Sequence, residues 1–173
     1  IHSGDWSSDV CSSDLWARKL AASDLKLAAP PAIRQLQPVP GASRLGDRFG
    51  GWELSARLTS AAPGLEVLWR AELRDGANYI RQELAIRAPS EPLELGELVV
   101  LELAAPKAET AGSVDGSPVV AGNIFAACEH PMSQNKVLPA AGGSSLVRCG
   151  YPYCAAVNPG SAAAFSSVIG VVQ

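Results

Sequence analysis

The sequence predicts an all-β chain folded as an antiparallel β-sandwich, and three observations carry that expectation. Apolar and polar residues alternate over long runs from Trp52 onward, and turns rich in Gly, Pro and Asp separate those runs. No stretch after Trp52 has the length and period of a convincing helix. Six to nine closely spaced strands suit two packed antiparallel sheets better than a parallel sheet with helical crossovers.

The elements follow in order. Trp16–Ala22 reads either as a short helical turn or as a strand. Pro30, Pro31, Pro38 and Pro40 then break any helix and leave irregular or edge-strand chain. Trp52, Leu54, Ala56 and Leu58 alternate with Glu53, Ser55 and Arg57, the period of a half-buried strand. That period assigns Trp52 to the core side. After a turn at Ser60–Gly64, the run Leu65–Leu73 repeats the alternation and assigns Trp69 to the same side. Asp75–Asn78 is a hairpin turn, and Tyr79–Ala88 is its return strand. Arg57, Arg70, Arg74, Arg81 and Arg87 are expected to pair across strands with Glu53, Glu66, Glu72 and Glu83 on a solvated face. Leu93–Leu103 is a further strand, or two with a bulge at Gly96. Shorter strands are expected near Val114, Val119–Val120 and Ile124–Ala127, and Ser166–Val172 has the β-branched character of a central strand.

Asp5–Leu15, reading DWSSDVCSSDL, matches one reading frame of a common sequencing adapter over all eleven residues. The expectation is a chain with three parts. Residues 1–15 are an adapter-derived, disordered segment, and 16–51 an irregular N-terminal segment with edge strands. Residues 52–173 are a sandwich core, incomplete at both ends and cut before a catalytic barrel. The whole chain carries a net charge of −3. Residues 1–15 hold three acids and no Lys or Arg, so the other 158 residues have 14 bases and 14 acids. A neutral, mixed surface argues against nucleic acid as a partner, which selects clustered Lys and Arg. No apolar run approaches the ~20 residues of a membrane span.

Chemistry-bearing motifs are few. The chain lacks a phosphate-binding glycine loop, a dinucleotide fingerprint and a nucleophile elbow. No cofactor and no metal are expected, because the Cys and His residues supply no second pair for a zinc site. Cys149 and Cys154 read either as a small disulfide loop or as two free thiols. His130 is the only histidine outside residues 1–15. The segment Gly112–Gln134 gathers Asp115, Asn123, Glu129 and His130 around turn residues. Asp115 and Asn123 suit turns whose side chains satisfy local backbone groups. Glu129 and His130, beside Phe125 and Met132, are costly to bury without a purpose. Asn123, Glu129 and His130 are therefore the expected substrate-binding residues, and no residue is expected to be catalytic. Asp115 and Glu129 are the best carboxylates for a glycosidase pair, but nothing in the sequence fixes their separation.

Three stretches carry a family resemblance: L-R-D-G-A-N-Y-I-R-Q-E-L from Leu73, G-S-V-D-G-S-P-V-V-A-G-N-I-F from Gly112, and E-H-P-M from Glu129. Together they resemble the N-terminal β-sandwich of bacterial clan-D, α-galactosidase-like glycoside hydrolases, some of them labelled enterotoxins. In that group a supersandwich of the galactose-mutarotase-like kind precedes a (β/α)8 barrel. The closing F-S-S-V-I-G-V-V resembles the last sandwich strand before the barrel. The likeness covers Asp24–Val172, and Gly142–Cys154 fits it poorly, as an insertion or a local sequence error would.

The resemblance implies a parent enzyme that is a retaining α-glycosidase with two carboxylates on its barrel, secreted or periplasmic. None of those positions lies in this chain, so no catalytic residue carries over. The implied role is a non-catalytic domain that supports the barrel of the same chain, shapes its substrate entrance and meets carbohydrate there. The alternative is a stand-alone carbohydrate-binding or cell-surface interaction module. A third reading, a small independent hydrolase using Glu129 and His130, ranks below both.

Overall fold

The structure, a computed structural model, describes residues 19–60 and 64–172. The adapter-like Asp5–Leu15 lies outside the described residues, as does most of the Ser60–Gly64 turn. Among the described residues there are twelve strands and three short 3-10 segments, and no α-helix. The strands are β1 (Lys26–Leu27), β2 (Ala32–Leu36), β3 (Gly51–Ser60), β4 (Leu65–Arg74), β5 (Tyr79–Arg87) and β6 (Leu93–Ala105). The remainder are β7 (Ala108–Thr110), β8 (Val119–Ala121), β9 (Ile124–Cys128), β10 (Gln134–Pro139), β11 (Ser145–Val157) and β12 (Ala162–Val171).

Two antiparallel sheets form, as the alternation predicts. The large sheet runs β1-β3-β4-β5-β12-β9-β8-β7, with β2 beside β1 along the same edge of β3, and the small sheet runs β10-β11-β6. The hairpin at Asp75–Asn78 joins β4 to β5 in the expected register, Leu73 opposite Ile80. Leu93–Leu103 belongs to one strand, β6. The bulge lies on its partner: β11 slips between Pro152 and Ala155, opposite Gly96, and Cys154 there takes a φ of +46°. Gly142–Cys154 supplies most of β11, the middle strand of the small sheet, including the buried Val147 and Cys149. Val114, expected in a strand, sits in a loop with its side chain exposed.

The core lies between the sheets. Leu65, Val67 and Ile86 pack against Leu93, Leu95 and Leu98 of β6, and Ala88, Val157 and Ala163 close one end. Val119, Ala126 and Cys128 meet Ala105, Val147 and Cys149. Burial of these apolar faces supplies the main driving force for the two layers.

The structure corrects the placement of Trp52. Directly opposed residues share a face, and one such row reads Trp52, Leu73, Ile80, Ile169, Ala126, Val119 across six strands. At one end Val119 and Ala126 are 1% and 3% exposed; at the other Ile80, Leu73 and Trp52 are 41%, 48% and 55% exposed. The period assigned the face correctly, but a three-stranded sheet covers only part of it. Ile33 and Leu54 extend the same uncovered corner. Trp69 is half-buried, its indole N–H donating to Gln82 Oε1 at 3.1 Å.

The opposite face carries the expected cross-strand ion pairs, Arg57–Glu66 and Arg70–Glu83 among them. It is less solvated than the sequence suggests. Arg34 forks onto both oxygens of Glu53 at 2.7 and 2.8 Å, and Glu53 is only 3% exposed. The segment before β3 folds over this face, with Arg44 reaching Glu72 at 2.9 Å and Arg74 reaching Asp47 at 3.0 Å.

These contacts predict acid lability. The Arg34 hydrogen bonds hold Glu53 below its ordinary 4.5, and the Arg44 bond holds Asp47 below its ordinary 3.8. A depressed carboxylate pKa stabilises the fold fully above the unfolded value and loses that contribution as pH falls through the folded one. The melting temperature should therefore hold down to about pH 5 and fall steeply below about pH 4. A flat profile between pH 5 and pH 2, measured by circular dichroism, would show that these pairs contribute nothing.

Candidate functional site

Two loops at one edge of the large sheet enclose a shallow open groove of about 470 Å³. One joins β7 to β8 through Asp115-Gly116-Ser117-Pro118; the other follows β9 through Glu129-His130-Pro131. Gly116 permits their approach. Its φ is +81°, and a Cβ there would stand 3.0 Å from the Pro131 carbonyl oxygen and 3.2 Å from that of His130. Its amide donates to the Ser133 carbonyl at 2.8 Å.

Buried polar side chains hold both loops from below. Asn135 accepts from the Cys128 amide through Oδ1 at 2.9 Å and donates to the Gly116 carbonyl through Nδ2 at 3.2 Å. Ser133, wholly buried, donates to the Cys128 carbonyl at 3.0 Å. The arrangement satisfies backbone groups that no ladder reaches, which is how a buried loop avoids orphaned donors.

Glu129 and His130 leave this base in different directions. The Glu129 carboxylate accepts from Arg81 Nε at 2.6 Å, and Arg81 also pairs with Glu83. Committed to that pair, it suits accepting hydrogen bonds from hydroxyls. His130 accepts the Met132 amide at Nδ1, 3.2 Å away, so the neutral ring carries its proton on Nε2. Its edge meets Tyr151, ring centres 4.3 Å apart, and Tyr151 continues into Tyr153 and Phe165. Glu129 and His130 both line the groove, and a carboxylate acceptor together with a ring N–H can bind a small polyol or a polar peptide edge.

The sequence-derived residues do not all converge. Glu129 and His130 line the groove, and Asp115 joins them. Asn123 stands in the β8–β9 turn at the other end of β9, about 20 Å away at strand rise, where its carbonyl accepts from the Val172 amide at 2.7 Å. Ser133, Asn135, Arg81 and Tyr151 were not singled out from sequence. Short polar residues at alternate positions where β10 begins were the available signal for Ser133 and Asn135. Nothing local announces that Arg81 and Tyr151 arrive from other strands. Among the described residues no three His, Cys, Asp or Glu side chains gather as a metal site, and no helix is long and apolar enough to cross a membrane. Cys149 is a free buried thiol, so it forms no disulfide loop with Cys154.

No family model matches the chain, and no curated protein does. Solved structures do. The GH36 α-galactosidase AgaA from Geobacillus stearothermophilus superposes with a TM-score of 0.50 at 16% sequence identity, over 87% of this chain and 28% of that enzyme's. A variant of the same enzyme in complex with raffinose gives a TM-score of 0.49 at the same identity and the same shares. The likeness is one of fold. It agrees with the all-β antiparallel sandwich expected from sequence, and the chain spans about 28% of the length of the enzyme it resembles.

Proposed function

We propose that the chain is a non-catalytic β-sandwich domain of an α-galactosidase-like glycoside hydrolase, docked on a catalytic barrel whose substrate entrance it helps to shape. The uncovered corner of the large sheet carries this reading. Ile33, Trp52, Leu54, Leu73 and Ile80 form a contiguous apolar patch on the core-facing side of a sheet that its partner sheet leaves partly bare. Such patches mark docking surfaces, and Trp among aliphatic side chains is the composition of an interface centre. The occupant assigned here is the catalytic barrel, a choice supported by the resembling α-galactosidase extending well beyond the matched part. In this reading residues 16–51 supply the edge strands and 52–173 the core, with 1–15 contributed by the adapter.

Glu129 and His130 are assigned to contact carbohydrate from the groove, with Asn123 a separate contact at the other end of β9. The supporting chemistry is a paired carboxylate that accepts from hydroxyls and an imidazole that donates from Nε2.

Sequencing the gene beyond the Gln173 codon tests the proposal. A following (β/α)8 domain with paired carboxylates is expected, and there Glu129→Gln should raise KM for an aryl α-galactoside about five-fold with kcat unchanged, the worth of one charged hydrogen bond. An unrelated domain or a stop codon would overturn it. Tight sugar binding by the 173-residue chain alone would favour the stand-alone module instead.

A further inference from the structure

Cys128 ends β9 in the large sheet, and Cys149 lies in β11 of the small one. Both are free thiols in one buried cluster between the sheets, 2% and 0% exposed. Cys128 is among the groups that act on the Cys149 thiol, so the two cysteines are neighbours across the layers. Ala105, Val119, Ala126 and Val147 belong to the same cluster, which draws residues from both layers around the pair. β-Sandwiches accommodate a disulfide between their sheets at such a place.

We propose that Cys128 and Cys149 form an inter-sheet disulfide when the chain folds in an oxidising medium. The thiolate of one cysteine attacks glutathione disulfide, giving a mixed disulfide and one glutathione. The thiolate of the other attacks the protein sulfur of that mixed disulfide and expels a second glutathione. The two thiol protons end on the two glutathiones, and glutathione disulfide takes the two electrons.

The folded chain does not run this reaction. Burial pushes the Cys128 thiol up and that of Cys149 up to about 12, and exchange requires a thiolate that the oxidant can reach. Closure therefore belongs to folding, before the layers shut. Once made, the bond is as inaccessible to reductant as the thiols are to oxidant, so the domain retains the redox state in which it folded.

The test refolds the reduced 173-residue chain from denaturant with glutathione disulfide or with glutathione alone, followed by unreduced peptide mapping. The oxidised sample should contain the Cys128 peptide joined to the Cys149 peptide, lighter by about 2 Da, and its melting temperature should rise by roughly 5–10 °C. Glutathione disulfide added after folding should give neither change. Cys149→Ser should fold in both media, and its melting temperature should differ between them by less than that of the natural chain. Free, alkylatable Cys128 and Cys149 in the oxidised sample would overturn the proposal, as would their joining only to other cysteines. A redox-dependent difference in melting temperature that Cys149→Ser leaves undiminished would also overturn it. Rapid bonding in the folded chain would overturn the coupling to folding.

Discussion

Gly51→Ala is expected to cost about 4 kcal/mol, the sum of backbone strain and overpacking, which is a large share of a domain's stability. Gly51 opens β3 opposite Arg74 of β4, at a φ of +155°. A Cβ there would lie 2.3 Å from the Leu73 carbonyl oxygen and 2.8 Å from the Arg74 Cα. Both are backbone atoms at the end of the β3–β4 ladder, so neither can rotate away as a side chain would. Gly96→Ala is the matched control, since a Cβ there meets nothing within 4 Å. It should be neutral or slightly stabilising. Urea unfolding of the two variants should separate their midpoints widely; a Gly51→Ala loss under about 1 kcal/mol would refute the packing account.

The second large effect is at Asn135. Its amide serves the Cys128 N–H at the end of β9 and the Gly116 carbonyl in the β7–β8 loop, and the residue is 7% exposed. Asn135→Ala removes both partners at once and should destabilise by about 3 kcal/mol, the cost of leaving buried backbone groups unpaired. The consequence extends to the groove, because Glu129 and His130 follow directly from Cys128. Amide exchange at Cys128 and Gly116 should accelerate by more than the global loss of stability accounts for. Acceleration no larger than the global loss would mean that the loops hold themselves without the amide.

Much of the sandwich was legible because alternation reports a strand and its two faces directly. Leu65–Leu73 and Tyr79–Ala88 lie where their period places them, and so does their hairpin. What alternation does not report is how far the opposing layer extends. Trp52 and Val119 share one row of one face, yet only the second is covered. Glu53 shows the converse, a charged residue at a nominally solvated position that a neighbouring Arg34 and the chain before β3 enclose. In the candidate site, Glu129 and His130 stood out as polar residues costly to bury, whereas Glu129 is exposed and His130 only half-buried. Their supports, Arg81, Tyr151 and Asn135, come from other strands and become apparent only with strand order in hand. Asn123 was grouped with them because a short stretch of sequence looks close, whereas a strand keeps its two ends apart.

The docking account stands most directly on Trp52. Hydroxyl-radical footprinting by mass spectrometry can compare that indole in the 173-residue chain with the same residue in the full-length parent protein. The account predicts strong modification of Trp52 in the isolated chain and marked protection in the parent, with Trp69 changing little. Equal modification of Trp52 in both would contradict it.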